Sequence, residues 1–556
     1  MFSLVAALLL GFAPGLGYNR PDAPAVPPAV PSVEVPADIP QNRNSRIEEE
    51  VSAIIEECVS YEKAGNWETV LQQYSAAIRR YPASKNLQSQ YSRAKVLCDI
   101  QKRFETDWYL NAVRQYDSAR LRTFVQSFWN TVTTNYVQPF SVTEIFYRET
   151  RCMDIALGNA TFRSRVLPDV DSRRIEAFRE EIRQYVRDSV VTSRNELVNA
   201  TLEIGQRFQN RFGQNASVIV LEGLFDCVTS LDSYSEVLLP SQYHDVIASV
   251  SGNMVGLGIT IKTENGRTEI IGIVPNSPAA HSDLSCGDQI IAVNDESIEG
   301  FSNRQVSAKL EGPSGSSVAL RVQAENDLPR EIVLIRKPFT ISSVDHAMIL
   351  PESEGIGYFR LNGFQKNSAA EMSQTLSQLK EQGMTSLIID LRGNGGGTVD
   401  SAVAISELFL DEGNILQIQN VGSRFIHRAH SDSEWNEIPL VLLIDGDSAS
   451  ASEIFAGAIQ GLQRGVLIGR RSFGKGAIQT IYPIPESPFM MKLTTAQFFG
   501  PSGNRYNYVG VSPNYEVREA GKPIFITEGR KQAPERDFVL EKAQELLGNN
   551  RRVSMK

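Results

Sequence analysis

The sequence predicts an α/β protein whose N-terminal part is helical and whose chain is interrupted by a small β-rich module. Three observations predict it. Apolar residues recur at helical spacing from about Ile47 to residue 250, short β-rich runs punctuated by Gly and Pro begin at Gly252, and strands alternate with helices after Phe339. Alternation of that last kind argues for a helix-flanked sheet. The 556 residues leave room for three or four units of roughly 150 residues each.

Composition narrows the function classes. Lys and Arg number 55 against 65 Asp and Glu, a net charge of −10, whereas a general nucleic-acid binder needs a basic surface or stripe. The five cysteines form no CxxC pair and the five histidines no HExxH, so neither a disulfide scaffold nor a zinc site is indicated. No metal, cofactor or nucleic-acid partner is expected.

The first element, residues 1–17, is an apolar run from Phe2 to Phe12 that meets Pro14, Gly15 and Gly17. It is too short to span a bilayer and has the length of a secretory h-region, although the first basic residue is Arg20. A cleaved leader, with export to the periplasm or cell envelope, is the expectation; a membrane tether and a plain cytoplasmic N-terminus are the alternatives. Residues 18–45 form a spacer, with seven prolines between Pro21 and Pro40, extended because proline excludes helix and central strand.

Over residues 46–105 the pattern is helical. Gly65-Asn66-Trp67, Tyr74, Ala77 and Pro82 have the spacing of the second half of a tetratricopeptide repeat, in which small residues let two helices approach. A protein partner there, or a helical hairpin docked on its neighbours, are both open. Residues 106–250 continue as a helical domain. Ile175, Phe178, Ile182, Tyr185 and Val190 mark an amphipathic helix, with Arg and Glu on a solvated face.

Residues 251–337 carry Val255-Gly256-Leu257-Gly258-Ile259, then Ser277-Pro278-Ala279, Leu284, Gly287-Asp288-Gln289-Ile290 and Val293-Asn294. This pattern resembles a PDZ domain, with Asp283 and Cys286 where Gly and Pro are frequent. The resemblance implies that backbone N–H groups of Val255, Gly256, Leu257, Gly258 and Ile259 hold a peptide's terminal carboxylate. The peptide would add as a strand beside a helix at Asn303–Leu310. Strands are expected at Leu257–Thr263, Glu269–Val274, Gln289–Val293, Val318–Gln323 and Glu331–Arg336.

Residues 338–530 carry the chemistry, with a C-terminal helix or tail over 531–556. Strands are expected at Ile356–Leu361, Ser386–Asp390 and Leu440–Ile444, and helices at Ala369–Glu381, Ser401–Leu410 and Ser450–Leu462. Two motifs stand out: Asp390-Leu391-Arg392-Gly393-Asn394-Gly395-Gly396-Gly397, and Asp447-Ser448-Ala449-Ser450-Ala451-Ser452-Glu453 followed by Phe473-Gly474-Lys475-Gly476-Ala477-Ile478-Gln479. Together they resemble the carboxyl-terminal processing peptidases, or tail-specific proteases, which are serine peptidases with a PDZ module ahead of the catalytic core. The match runs from about Leu221 to Glu528. It implies a crotonase/ClpP-like α/β core, Ser450 as nucleophile, Lys475 as general base and Gln479 as the residue orienting it. The residues alone leave Ser448, Ser450 and Ser452 open; the family spacing to the lysine selects Ser450.

Elementary chemistry agrees with that assignment. A serine hydroxyl needs an adjacent base, and a lysine serves once burial favours its neutral form. Ser450 opens an apolar helix, so Ala451 N–H and a glycine N–H, best matched by Gly396, are expected to receive an oxyanion. Ser450-x-x-Glu453 also reads as a plain capping box. Arg470 and Arg471 stand where the family more often has an acidic residue at the first position; they are expected to be exposed. The leading reading is an exported serine endopeptidase acting near the C-termini of proteins or peptides with free apolar tails. A non-proteolytic peptide-binding adaptor on the same fold is the alternative.

Overall fold

The computed structural model describes residues 41–554, apart from 82–83, 105–106, 265, 302, 325–326, 431 and 519–535. The expected leader, the spacer up to Pro40, Pro82 and the first residues of the expected tail lie outside the described residues. The chain divides into two compact units, residues 1–240 with 478–496, and residues 241–477 with 497–556. Among the described residues no helix is long and apolar enough to cross a membrane.

The first unit is helical. Helix α1 spans Gln41–Lys63 among the described residues, so helix is present before residue 46, and the turn after it contains Gly65, whose φ of +70° suits glycine. Asn66 then caps α2 (Trp67–Arg80), accepting the Thr69 N–H at 3.3 Å. Tyr74 and Ala77 are buried in one small core with Leu87 and Ala94 of α3 (Lys85–Phe104). There follow α4 (Asp107–Val113), α5 (Ser118–Asn135), α6 (Val142–Gly158), α7 (Ala160–Val166), α8 (Ser172–Asp188), α9 (Arg194–Phe212) and α10 (Ala216–Thr229).

Helix α10 is buried continuously from Ser217 to Thr229, which identifies it as the centre of this unit. Its two carboxylates, Glu222 and Asp226, sit one turn apart and share the Arg103 guanidinium at 2.8 and 2.6 Å. Ile175, Phe178 and Ile182 of α8 face the core as expected, but Val190 is 81% exposed. The helix stops at Asp188, and Val191 turns inward instead. A strand absent from the sequence reading, β1 (Glu236–Leu238), closes the segment.

The second unit starts with α11 (Pro240–Ser251) and β2 (Asn253–Gly256), and holds the β module. Its strands are β3 (Ile259–Glu264), β4 (Arg267–Ile273), β5 (Gln289–Val293), β6 (Glu296–Ser297), β7 (Ser317–Gln323) and β8 (Arg330–Ile335), with helix α12 (Asn303–Leu310) between β6 and β7. The order β3-β4-β5-β7-β8, with β6 on β5, leaves β3 at an edge. Strand β9 (Lys337–Thr340) returns antiparallel to β2 and closes the module at its base.

Beyond it come β10 (Val344–Ile349), β11 (Ile356–Leu361), α13 (Ser368–Glu381), β12 (Ser386–Asp390), α14 (Val399–Glu407), β13 (Asn414–Asn420), β14 (Arg424–Arg428), β15 (Leu440–Ile444), α15 (Ala451–Gly461) and β16 (Val466–Gly469). The chain then forms β17 (Ala477–Pro483), β18 (Met490–Phe499), β19 (Tyr515–Glu516) and α16 (Phe538–Ser554). The main sheet runs β10-β11-β12-β15-β16-β19, parallel throughout except for β10. Strands β12 and β15 are buried at every residue, as central parallel strands covered on both faces must be. Val539, Leu540, Ala543 and Leu547 of α16 pack on Tyr358, Ile388 and Leu443 of that sheet.

Candidate active site

In an open parallel sheet the ligand-binding crevice lies beyond the carboxyl ends of the strands. Strands β12, β15 and β16 are neighbours, and each runs at its carboxyl end into one of the motifs singled out in the sequence. The loop after β12 is anchored first. Buried Arg392 donates to Asp390 at 2.9 and 2.6 Å and to Asp537 at 2.9 and 2.8 Å, while Tyr358 Oη donates to Asp390 at 2.9 Å. Gly393 N–H then donates to Asp445 of the next loop at 3.0 Å.

Asn394 carries the loop onward. Its amide nitrogen donates to Leu361 O at 2.7 Å and its Oδ1 accepts Gly396 N–H at 2.9 Å. Its carbonyl accepts Ala449 N–H at 3.0 Å and the Ser452 hydroxyl at 2.9 Å. One buried asparagine thus holds the glycine loop against the serine turn. Gly396 has φ +103°, and a Cβ there would fall 2.8 Å from Ser450 Cβ and 2.9 Å from Ala451 N. Only glycine lets the two segments approach this closely.

Ser450 caps α15 with φ +58° and ψ −113°. Positive φ is costly for a residue with a Cβ, and such strain gathers where a side chain must be presented. The Ser448 hydroxyl donates to Leu391 O at 2.8 Å and the Ser452 hydroxyl to Asn394 O at 2.9 Å, both fully buried. Ser450 alone of the three is partly exposed. Of the first N–H groups of α15, those of Ser452, Glu453 and Ile454 reach main-chain carbonyls of Ala449 and Ser450. Ala451 N–H meets no acceptor among the described residues, and it stands at the positive end of the helix.

Glu453 is buried and joins the serine turn to the lysine loop. Its Oε2 accepts the main-chain N–H of Ser450 and of Lys475, each at 2.8 Å, and its Oε1 accepts Gly474 N–H at 2.7 Å and the Ser472 hydroxyl at 2.6 Å. Burial pushes its carboxyl above the usual range, against the pull of these four donors. The capping-box signature was visible in the sequence, but the second half of this role was not. Gly474 and Gly476 let the lysine loop lie against the Asn507–Gly510 turn; a Cβ on Gly476 would meet Asn507 N at 2.5 Å.

The other sequence-derived residues are placed as follows. Gln479 lies on β17 among the residues of the first unit, and its amide donates to Thr494 Oγ1 at 3.3 Å. Gly396 stands beside Ser450, and its N–H is engaged by Asn394 Oδ1. Arg470 and Arg471 are exposed.

In the β module, the Leu257 and Gly258 carbonyls turn inward and accept Ala279 N–H and Val274 N–H, each at 2.8 Å. The Leu257 and Gly258 N–H groups have no acceptor among the described residues. Gly258 has φ +77°, and a Cβ there would fall 2.1 Å from Ser277 Cβ. Beyond it β3 presents its free edge, with α12 packed close by.

Residues 355–517 match the family model described as "Peptidase family S41", and residues 246–323 match that described as "PDZ domain". A carboxyl-terminal-processing protease of Picosynechococcus sp. is 31% identical over 326 residues, covering 58% of this chain and 77% of that protein. Its counterpart in Synechocystis sp. is 32% identical over 302 residues, covering 53% and 70%. Among solved structures, the photosystem II D1 C-terminal processing protease is similar over 72% of this chain and 94% of its own, at 24% identity and TM-score 0.38.

Proposed function

The chain belongs to peptidase family S41, the serine-type carboxyl-terminal-processing proteases, and carries a PDZ domain; from that premise we propose how its residues divide the work. Ser450 Oγ attacks the scissile carbonyl while neutral Lys475 takes its proton, and the resulting ammonium protonates the leaving amine. Water then attacks the acyl-enzyme ester with Lys475 again as base. Gln479 orients the amine. Ala451 N–H and a main-chain N–H of the Gly395–Gly397 loop stabilise the tetrahedral oxyanion, in whose place each donor is worth about 3 kcal/mol. Use of Gly396 itself requires that its N–H leave or be shared with Asn394 Oδ1.

The single observation that carries this reading is the Glu453 carboxylate. One oxygen atom receives the main chain at Ser450 and at Lys475, so the two residues are held in one frame before substrate arrives, which is what positioning catalysis needs. The substrate is a protein with a free apolar C-terminus, captured as an added strand on β3, its carboxylate on the Leu257 and Gly258 N–H groups. The leader-like run at Phe2–Phe12 supports an exported, envelope-associated enzyme.

The test is incubation of the purified protein with an unfolded model protein and identification of the products by mass spectrometry. Cleavage by the parent and none by Ser450→Ala or Lys475→Ala is expected. Undiminished cleavage by Ser450→Ala, with loss on replacing Ser448 or Ser452, would move the nucleophile. No cleavage by the parent would leave the adaptor reading standing.

A further inference from the structure

The helical unit contains a cleft of about 700 Å³, separate from the serine and lysine motifs and partly lined by the repeat-like segment. Two helices build it. From α3, Lys85, Ser89, Ser92, Arg93 and Val96 face it, at the three- and four-residue steps that place side chains on one helical face. From α6, the same steps bring Glu144, Tyr147, Arg148, Arg151 and Ile155. Ser141, at the cap of α6, completes one end.

The lining is opposite in sign to the molecule. Lys85, Arg93, Arg148 and Arg151 stand against a single carboxylate, Glu144, in a chain whose net charge is −10. A local reversal of that kind draws in anions that the rest of the surface repels. Lys85 and Arg151 form no ion pair among the described residues, and both are exposed. Arg93 pairs with largely buried Glu62, whereas Arg148 pairs with Glu144 in solvent, each at 2.8 Å. Exposed pairs contribute little to stability, so exchanging one for a ligand carboxylate costs little. Ser141 Oγ accepts Glu144 N–H at 3.0 Å and keeps its own hydrogen to donate.

Buried Val96 and Cys152 give an apolar floor, and Tyr147 is half exposed at the side. The volume is that of sites which enclose drug-sized ligands. It admits a few residues of extended peptide and is too confined for a nucleic-acid duplex. We propose that this cleft binds an acidic, extended segment of a partner protein, its carboxylates on Lys85 and Arg151 and an apolar side chain on the floor. The site is independent of the proposed peptidase chemistry.

The experiment uses the full chain with Ser450→Ala, to prevent digestion, and a fluorescein-labelled Glu-Glu-Leu-Glu-Glu peptide, amidated so that the PDZ loop has no carboxylate to capture. Binding is read by anisotropy at low salt. Lys85→Glu with Arg151→Glu should weaken it at least tenfold, replacement of every Glu by Gln in the probe should do the same, and Arg151→Lys should stay within threefold. If the double reversal fails to fold, judged by its melting curve, Lys85→Gln with Arg151→Gln replaces it and the same loss is expected. Equal binding of the Gln probe, or a folded double variant within twofold of its parent, overturns the proposal. So does tenfold tighter binding of a phosphoserine probe, which would assign the cleft to phosphate.

Discussion

Arg392 and Asp537 stand 145 residues apart in sequence and meet in a buried pair with two hydrogen bonds, at 2.9 and 2.8 Å. Arg392 belongs to the glycine loop beside Ser450. Asp537 begins the last helix, accepting Leu540 N–H at 3.1 Å, and lies beyond the residues that match the peptidase model. The C-terminal helix is therefore part of the scaffold of the proposed oxyanion loop. Without Asp537 the guanidinium keeps Asp390 as a partner but loses two buried hydrogen bonds to a charged group, worth about 1.5–3 kcal/mol each. Asp537→Ala should lower the unfolding free energy from denaturant titration by that order and reduce kcat more than it changes KM. A variant with parental kcat would show that the helix end does not set the loop.

Glu453 makes a sharper demand. Both of its oxygens act only as acceptors, two donors to each. Glu453→Gln keeps the volume but turns an NH₂ group toward two of those donors. The loss should appear in kcat, by about a hundredfold if one misplaced group is typical of positioning, with PDZ peptide affinity unchanged. The carboxyl is already raised by burial, so acid should protonate it above the ordinary range near 4.3 and remove one acceptor site. The acid limb of kcat in the parent should therefore include a step absent from the already impaired Gln variant. Equal kcat in parent and variant would refute the shared frame.

Glu149 allows a stability test away from the chemistry. It is fully buried in α6, accepts the Thr201 hydroxyl at 3.0 Å, and burial pushes its carboxyl up to about 8. Below about 4.3, the unfolded value, the group is protonated in both states and costs nothing. As the pH rises from there to about 8 the unfolded chain releases the proton first, so stability falls through that window and levels off above it. Glu149→Gln should stabilise the helical unit by an amount that grows between pH 5 and 8, at most about 1.4 kcal/mol per pH unit. A gain independent of pH, in denaturant titrations at pH 5, 6.5 and 8, would contradict this.

How much of this was legible in the chain differs by element. Gln289–Val293, Ile356–Leu361, Ser386–Asp390 and Leu440–Ile444 have the bounds read from the sequence, because each is a largely apolar run cut off by Asp, Asn or Gly. Helix Asn303–Leu310 agrees likewise. Strands β13, β14 and β18 were not anticipated. Arg424–Arg428 has basic residues at both ends and is mostly exposed, so it carries neither alternation nor an apolar run. Glu453 shows where local reasoning stops. A serine followed three residues later by glutamate announces a cap, but the arrival of Lys475 at the same oxygen is a tertiary fact. Asp390 and Arg392 were visible as part of a motif and had no stated role until Asp537 was brought to them.

The last prediction concerns how tails are selected. In the loop before β3 the carbonyls of Leu257 and Gly258 are satisfied within the module, while their N–H groups are open. A terminal carboxylate is the natural acceptor, and hydrogen bonds to a charged group are worth about 1.5–3 kcal/mol, or tenfold and more in affinity. Amidating a substrate's C-terminus removes that charge and leaves the scissile bond alone. Paired initial rates on the free-acid and amidated forms of one long peptide, below saturation, should differ severalfold or more, mainly through KM. Gly258→Val should erase the difference, because the new side chain would overlap Ser277 and force the loop out of φ +77°. That variant should still hydrolyse the amidated peptide at the parental rate, which separates capture from chemistry. Equal rates on both forms with the unmodified enzyme would mean that the module does not read the carboxylate, even with the proposed Ser450 and Lys475 chemistry intact.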